Sequence, residues 1–532
     1  MKNTSSLIFL LILLNSVSFS QSPAPDIQWK TALGGSSSDH AQCIQQTPDR
    51  GYIVAGNTYS NNGDVSGNHG LMDVWITKLD SMGKLEWQKT LGGSQNDEAY
   101  SIRNTPDGGY IVGGYTSSND MQVSGNHGTP DFWIVKLDNA GNVQWQKCLG
   151  GSGTDYPGYY DGSLSCTSDG GYIVAGTATS NDGQVSGNHG NADYWVVKLD
   201  GTGNIQWQKS LGGSEADQAS SIQQTSDGGY VVAGYSQSND GDVTGNHSPA
   251  GTFFRDFWIV KLDNAGNLIW QKALGGSDNE EAYAIQQTPD KGYIITGKAE
   301  SNDGDVTGHH AWADSWIVKL DSMGSLDWQK CYGGTADEYA QSVQLTPDGG
   351  YIVASSSNSG SGDGDITTND GSLDYWIQKL DSTGNMQWQK SLGGSNMDEA
   401  YSIIVTFDSG YVIAGSSRSV DGDVHSIHGS NSDDVWIVKL HKAFASPVNI
   451  VIIVPNLITP NGDQQNDAFI IKNLPDGYAL EICNRWGSLI YKNKQYSNTN
   501  AWNGNEASDG IYYFHLSHKS LPEYKGWLHL IR

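Results

Sequence analysis

The chain has 532 residues and sets 30 Lys+Arg against 58 Asp+Glu, a net charge of −28. That is too long for one ordinary core, so several domains or a repeat array are expected, and a surface this acidic excludes nucleic acid and anionic lipid as natural partners. With 67 Gly, 14 Pro and 17% charged residues, the chain reads as one of many tight turns, not as a disordered one.

Residues 1–20 read as a signal peptide. Lys2 precedes the apolar run LIFLLILL (7–14), too short to span a bilayer, and Ser18 and Ser20 place small residues before a cleavage site after Ser20. No Cys follows before Cys43, which argues against a lipid anchor, and no later segment is apolar enough to cross a membrane. The mature chain is expected to pass the inner membrane and end outside the cell or on the outer-membrane surface, as a monomer. Five cysteines (Cys43, Cys148, Cys166, Cys331, Cys483) are scattered with no CxxC pair. Buried free thiols are expected, with one or two disulfides left open.

From Asp26 to Lys442 one unit recurs. The segment DYWVVKLDGTGNIQWQKSLGGS (193–214) returns with small changes, and its opening Trp falls at 75, 133, 195, 258, 316, 376 and 436, a spacing of 58 to 63 residues. A period this long, with several strand-like runs per unit, predicts a β-propeller. In the fourth unit the strands are SSIQQT (220–225), YVVAG (230–234), DFWIVKLD (256–263) and LIWQKALGG (268–276). Between strands one and two lies a T-P-D-G type I turn. Between strands three and four a D-x-x-G turn supplies the glycine that a positive φ requires, as at Gly83 and Gly266. The fourth-strand motif occurs seven times, at Trp29, Trp87, Trp145, Trp207, Trp270, Trp328 and Trp388, and its first copy precedes any complete unit while the last unit lacks one. The orphan strand at the start is therefore expected to complete the last blade and close a seven-bladed ring. Fourteen of the 18 Trp occupy these two strand positions, where packing between blades is the expected role. The repeats resemble kelch-like and related repeats of secreted bacterial propellers.

A lysine recurs inside each third strand, from Lys78 to Lys439. A buried ammonium needs a partner, and the expected ones are the acids after each GGS: Asp39, Asp97, Asp155, Asp217, Glu280, Glu338 and Asp398, as inter-blade ion pairs. The long loop between strands two and three, SNDGDVTGNH (238–247) in unit four, has the oxygen donors of a cation loop. Two copies replace its second Asp by Gln122 and Gln184, and unit six has Asp370 in place of His. The loop reads first as a structural turn; the alternative is a weak calcium site at Asp240, Asp242, Asp303 and Asp305. No other cofactor is expected.

Three units depart from the pattern on the face carrying these long loops: DYPGYYDG (155–162), SPAGTFFRD (248–256) and HHAWAD (309–314). Tyr159, Tyr160, Phe253, Phe254, Arg255 and Trp312 are the candidate contacts to a surface protein or glycan, against solvent-exposed loop drift as the bland reading. No HExxH, GxSxG, phosphate loop or Cys/His arrangement is present, so a binding module is favoured over an enzyme. D-x-x-G-x-x-x-W (200–207) resembles the tryptophan-docking motif of quinoprotein propellers but is one residue short. An extracellular hydrolase or quinoprotein-like enzyme remains the alternative class.

After a brief linker (443–447) repetition stops. Residues 448–532 hold an apolar strand VNIVIIV (448–454) followed by short strands and turns, as in a small Ig-like β-sandwich. PNLITPNGDQQNDAF, ICNRWGSLIY, WNGN, DGIYYF and the terminal KGWLHLIR closely resemble the gliding-motility-associated C-terminal domain of Bacteroidota, the type B sorting domain of type IX secretion. The resemblance implies passage through the outer membrane with the type IX machinery as partner. Its motif positions are Asn461, Gly462, Asp463, Asn466, Asp467, Asn484, Arg485, Trp486 and Gly487, with Gln464 where the family usually has Gly. On residues alone, NGDxxND also fits a loop that satisfies its own backbone or binds calcium.

Overall fold

The computed structural model describes residues 23–442 and 454–532, apart from 129, 250, 426, 430, 431, 464, 465, 473, 475, 476 and 519–522. The signal peptide, the linker 443–447, residues 448–453 of the strand expected over 448–454 and the Gln464 departure lie outside the described residues. The chain divides into two units, 1–443 and 444–532.

The first unit is a seven-bladed ring of antiparallel sheets at 39–91, 97–149, 155–211, 217–274, 280–332, 338–392 and 398–440. The last sheet has three strands of its own and takes Ile27–Leu33 as its fourth, antiparallel to Asp434–Leu440 with Ala32 opposite Trp436. First strands of successive blades touch one another, for example Asp39–Gln46 with Asp97–Asn104 and Asp398–Val405, so they line the central channel. Third strands are buried along their whole length, as in Asp256–Leu262, because each is covered by a neighbouring blade on both faces.

The tryptophans do the packing expected of them. Trp258 is fully buried and its Nε1 donates to Gln271 of the adjacent fourth strand at 2.8 Å. Each fourth-strand Trp meets the second-strand Tyr of the next blade, as Trp207 does with Tyr230 at 5.6 Å and Trp29 with Tyr52 at 5.5 Å. The next blade's D-x-x-G turn sits on the same indole. At Gly83, with φ +80°, an added Cβ would lie 2.6 Å from the Trp29 ring, so this glycine is required by both conformation and contact.

The lysine ring is corrected by the structure. Each lysine pairs within its own blade, with the aspartate of the strand one–two turn: Lys78 with Asp49, Lys136 with Asp107, Lys198 with Asp169, Lys261 with Asp227, Lys319 with Asp290, Lys379 with Asp348 and Lys439 with Asp408, at 2.9 to 3.1 Å. The reason is register: Lys78 stands opposite Ile53 at the start of the second strand, beside that turn, whereas the GGS acids enter at the other end of the sheet.

Those acids pack instead against a second buried carboxylate at every blade junction. Around Gly34, Asp39 Oδ2 and Asp434 Oδ1 come within 2.7 and 2.8 Å of one added Cβ position, and Gly92 stands likewise between Asp73 and Asp97. The Oδ1 atoms of Asp73, Asp131, Asp193, Asp256, Asp314, Asp374 and Asp434 are buried with no hydrogen-bond partner among the described residues. Burial pushes Asp39, Asp217 and Asp256 up to about 6 and Glu280 and Asp374 up to about 7.

In the second unit the described residues form one five-stranded sheet, in the order Leu457–Ile458, Tyr524–Leu530, Gly510–Ser517, Ala479–Asn484 and Leu489–Asn493. One face packs on Phe469, Ile471, Tyr478, Tyr496 and Trp502, contributed by segments between the strands. The other leaves Ile511, Tyr513 and Trp527 about half exposed.

Candidate functional site

Blade three breaks the ring's regularity at its channel strand. That strand is split into Asp155–Pro157 and Leu164–Cys166, both paired to Tyr172–Ala178. The residues between them leave the sheet and end in a single 3-10 turn, Asp161–Ser163. This insertion enters the central channel. Asp161 Oδ1 accepts hydrogen bonds from Arg103 Nη1 and Cys43 Sγ, each at 2.7 Å, and its Oδ2 accepts one from Ser402 Oγ at 2.6 Å. Its carbonyl accepts from Ser101 Oγ and Arg103 Nη2 at 2.7 and 2.6 Å. One turn thereby ties blade three to blades one, two and seven. Burial, with Asp161 beside it, drives the Cys43 thiol far up, so it stays protonated and donates. All five cysteines are free.

The insertion stands between two cavities. One, of about 340 Å³, is lined by Arg103, Asp161 and channel glutamines such as Gln223, Gln286 and Gln344. The other, of about 660 Å³, reaches the long-loop face and is lined by Glu98, Tyr100, Tyr115, Tyr156, Tyr159, Tyr160 and Tyr401, with Gln42 and Gln341. Tyr100 and Tyr115 donate their hydroxyls to the two oxygens of Glu98 at 2.6 and 2.8 Å, and Tyr401 donates to Glu399. Burial first, then the neighbouring carboxylate, holds the phenols of Tyr100, Tyr115 and Tyr401 well above the ordinary range, so they remain donors. Burial also lowers His40, against the pull of Asp433, Glu399 and Glu98, which favours its neutral form.

Of the six predicted contacts, the structure brings Tyr159 and Tyr160 to this cavity. Tyr159 lies 4.8 Å from Tyr156 and 5.3 Å from Tyr100, and Tyr160 stacks on Tyr283 at 4.3 Å. Arg255 pairs with Glu281 and covers the Tyr235 ring at 4.6 Å. Phe253, Phe254 and Trp312 line neither channel cavity. Trp312 is 72% exposed, with its carbonyl 2.8 Å from His309 Nε2. Sequence reasoning missed Glu98, Tyr100, Tyr115 and Tyr401. For Glu98, Tyr100 and Tyr401 the signal was the triplet E-A-Y, present in three first strands as 98–100, 281–283 and 399–401; Tyr115, on a second strand, had none.

The cation-loop carboxylates work as backbone clamps. Asp240 Oδ1 accepts from Ser214 N at 2.7 Å and Asp303 Oδ1 from Ser277 N at 2.8 Å. Asp242 Oδ2 accepts from Gly212 N at 3.4 Å, while Asp305 Oδ2 lies 3.8 Å from His247 Nε2 of the preceding blade. His247 in turn holds Asp256 Oδ2 through Nδ1 at 2.6 Å. Among the described residues no group of three or more His, Cys, Asp or Glu side chains is placed to hold a metal ion.

In the second unit, Asp467 Oδ1 accepts from the amides of Asn461 and Gly462 at 3.0 and 2.9 Å. Asn461 Nδ2 reaches Asp463 at 3.0 Å, and Asn466 sits at φ +53° with its carbonyl bound by Thr459 N. Asn484 Oδ1 caps the amides of Trp486 and Ser488 in the turn between Ala479–Asn484 and Leu489–Asn493. Gly487 supplies the positive φ of that turn. Arg485 covers the Trp486 ring at 4.2 Å, and the indole is 74% exposed.

Residues 452–530 match the family model CHU_C, described as the type IX secretion signal domain. Regulatory protein FlaEY of Caulobacter vibrioides is 23% identical over 206 residues, 36% of this chain, and the match spans only 21% of that protein's length. Among solved structures, Sqt1 from Chaetomium thermophilum aligns with TM-score 0.39 and 12% identity over 79% of this chain and 99% of that one. The Pan2 WD40 domain of Neurospora crassa aligns with TM-score 0.42 and 12% identity over 78% and 97%. Likenesses this distant say nothing of a ligand. The C-terminal match makes this an exported, type IX-associated propeller protein of the cell exterior. No helix among the described residues is long and apolar enough to cross a membrane.

Proposed function

We propose that the chain is a binding module for the cell surface: the C-terminal domain is its address and the propeller its working part. The observation that carries this is the cavity of about 660 Å³ at the channel mouth, built where blade three leaves the repeat. A closed ring could be made from seven regular blades, so the insertion adds nothing that closure needs. It supplies two of the tyrosines lining the cavity, Tyr159 and Tyr160, beside the Asp161 network that ties the insertion to the channel. Binding sites are concave, with aromatic side chains and a few placed polar groups, and this cavity has those features.

An extracellular enzyme is the second reading. One off-pattern carboxylate, Asp161, does reach the channel, but its oxygens are engaged in holding the insertion. The test is a screen of glycans and surface proteins against the full chain and a Tyr159→Ala variant, with turnover followed in the same wells. Binding that disappears in the variant is the expected result. Turnover independent of the cavity would reverse the assignment. For the address, deleting residues 448–532 should leave the protein in the periplasm, and continued surface delivery would refute the sorting role.

A further inference from the structure

The binding-module reading leaves the ligand's chemistry open, and the lining of the cavity narrows it. Six tyrosines contribute to it, with one carboxylate, Glu98, and no Lys, Arg or His. An anionic ligand would meet no counter-charge there. Basic groups on the same face are committed or held toward neutrality: Arg255 and Lys298 pair with Glu281, Arg418 pairs with Asp433, and burial lowers His40.

Ring geometry adds a second constraint. Tyr100 and Tyr159 meet nearly at right angles, 82° at 5.3 Å, while Tyr156 lies 4.8 Å from Tyr159 and Tyr115 lies 6.1 Å from Tyr100. These rings pack edge to face and at a tilt on one another, so the lining is aromatic surface held at several angles. Glu98 accepts the hydroxyls of two of these rings and lines the same cavity, so its charge adds to their potential without requiring a donor from the ligand. The same arrangement also works against a saccharide, because the hydroxyls of Tyr100, Tyr115 and Tyr401 are already directed at glutamates. One acceptor is left over: the Oε1 of Gln341, a lining residue, is buried and has no partner among the described residues.

We infer that the channel mouth is an aromatic cage for an organic ammonium ion, rings and Glu98 holding the charge and Gln341 accepting an N–H where the ligand has one. An aromatic cage favours ammonium ligands through the ring quadrupoles. The net charge of −28 draws such cations toward the surface over long range.

The test is calorimetric titration of the full-length mature chain with choline, butylammonium and 3,3-dimethylbutan-1-ol, the uncharged isostere of choline. Choline and butylammonium should bind about tenfold or more tighter than the alcohol, the size of a desolvated cation–π preference. Glu98→Gln, which keeps the shape and one of the two acceptor oxygens but removes the charge, should erase most of that preference. Tyr159→Leu should weaken both cations, with a far-ultraviolet spectrum and melting point that show the ring intact. Gln341→Met should lower butylammonium affinity more than choline affinity. Equal binding of choline and the alcohol, or a Glu98→Gln variant that binds as the parent does, overturns the cation assignment. So does failure of both cations while a partner from the glycan and protein screen binds in a Tyr159-dependent way, an outcome that leaves the binding-module reading standing. A screened partner indifferent to Tyr159→Leu would instead remove the cavity from the account altogether.

Discussion

In the propeller the third-strand tryptophans, from Trp75 to Trp436, are at most 2% exposed, whereas in the C-terminal domain Trp486 is 74% and Trp527 is 51% exposed. The same side chain therefore closes blades at the repeated positions and is displayed at Trp486 and Trp527, as it is at Trp312 in its off-pattern loop. Repetition explains the difference. A residue that returns in every unit answers a need every unit has, which is packing against the next blade. A large aromatic kept in water is not explained by packing, and where several share one face, as Ile511, Tyr513 and Trp527 do, they mark a contact surface. The channel tyrosines stand between these extremes: Tyr100, on a regular channel strand, is buried at 3%, and Tyr159, in the insertion where repetition fails, is 42% exposed.

Substitutions should separate the classes. Trp258→Ala empties the most enclosed kind of site and should cost about 3–5 kcal/mol in denaturant unfolding, with no direct effect on a ligand. Asp161→Ala leaves the Arg103 guanidinium without its carboxylate in the channel and should cost about 3 kcal/mol, somewhat below a fully buried pair. Arg103→Met in the same chain should recover part of that loss, because it removes the stranded charge.

Acidity acts on the two carboxylate sets in opposite directions. Asp39, Asp217, Asp256, Glu280 and Asp374 hold their protons more tightly folded than unfolded, with values of about 6 to 7. They therefore stabilise the fold fully below the ordinary carboxylate range, and that stability drains as pH rises through 6 to 7. The turn aspartates Asp107, Asp169, Asp227, Asp290 and Asp408 are depressed to about 2 and stabilise above the ordinary range, losing this as pH falls through 2. The melting temperature should peak near pH 4 to 5 and decline by pH 8. Asp374→Asn, which removes one of the titrations, should flatten the alkaline side. A melting temperature that rises steadily from pH 5 to 8 would contradict the buried pairs.

The smallest effect on stability is expected at Trp486. Its replacement by Ala should leave unfolding within about 0.5 kcal/mol, yet lower delivery to the cell surface in a fractionation assay. An unchanged surface fraction would place Trp486 outside the recognition surface.

Much of this molecule was legible before its structure. Trp29 preceding any complete unit announced the closure, and the pairing of Ile27–Leu33 with Asp434–Leu440 delivers it. The turn glycines and the packing role of the fourteen strand tryptophans followed from local rules. The lysine partners did not, because a strand has two ends and only register says which turn Lys78 reaches. Nor did the path of the blade-three insertion. Tyr159 and Tyr160 could be flagged as departures from the repeat, but whether the loop stands on the rim or enters the channel depends on Cys43, Arg103 and Ser402, from blades one, two and seven. The E-A-Y triplets were visible as letters, yet their hydroxyl–carboxylate pairs acquire meaning only once the first strands are known to line the channel.

The most direct measurement is a crystal structure of the full chain with the ligand recovered by titration or screening. The account predicts density within the cavity bounded by Tyr100, Tyr156, Tyr159 and Tyr401, with Glu98 behind it. Density on Phe253 or Trp312, with that cavity holding solvent alone, would contradict it.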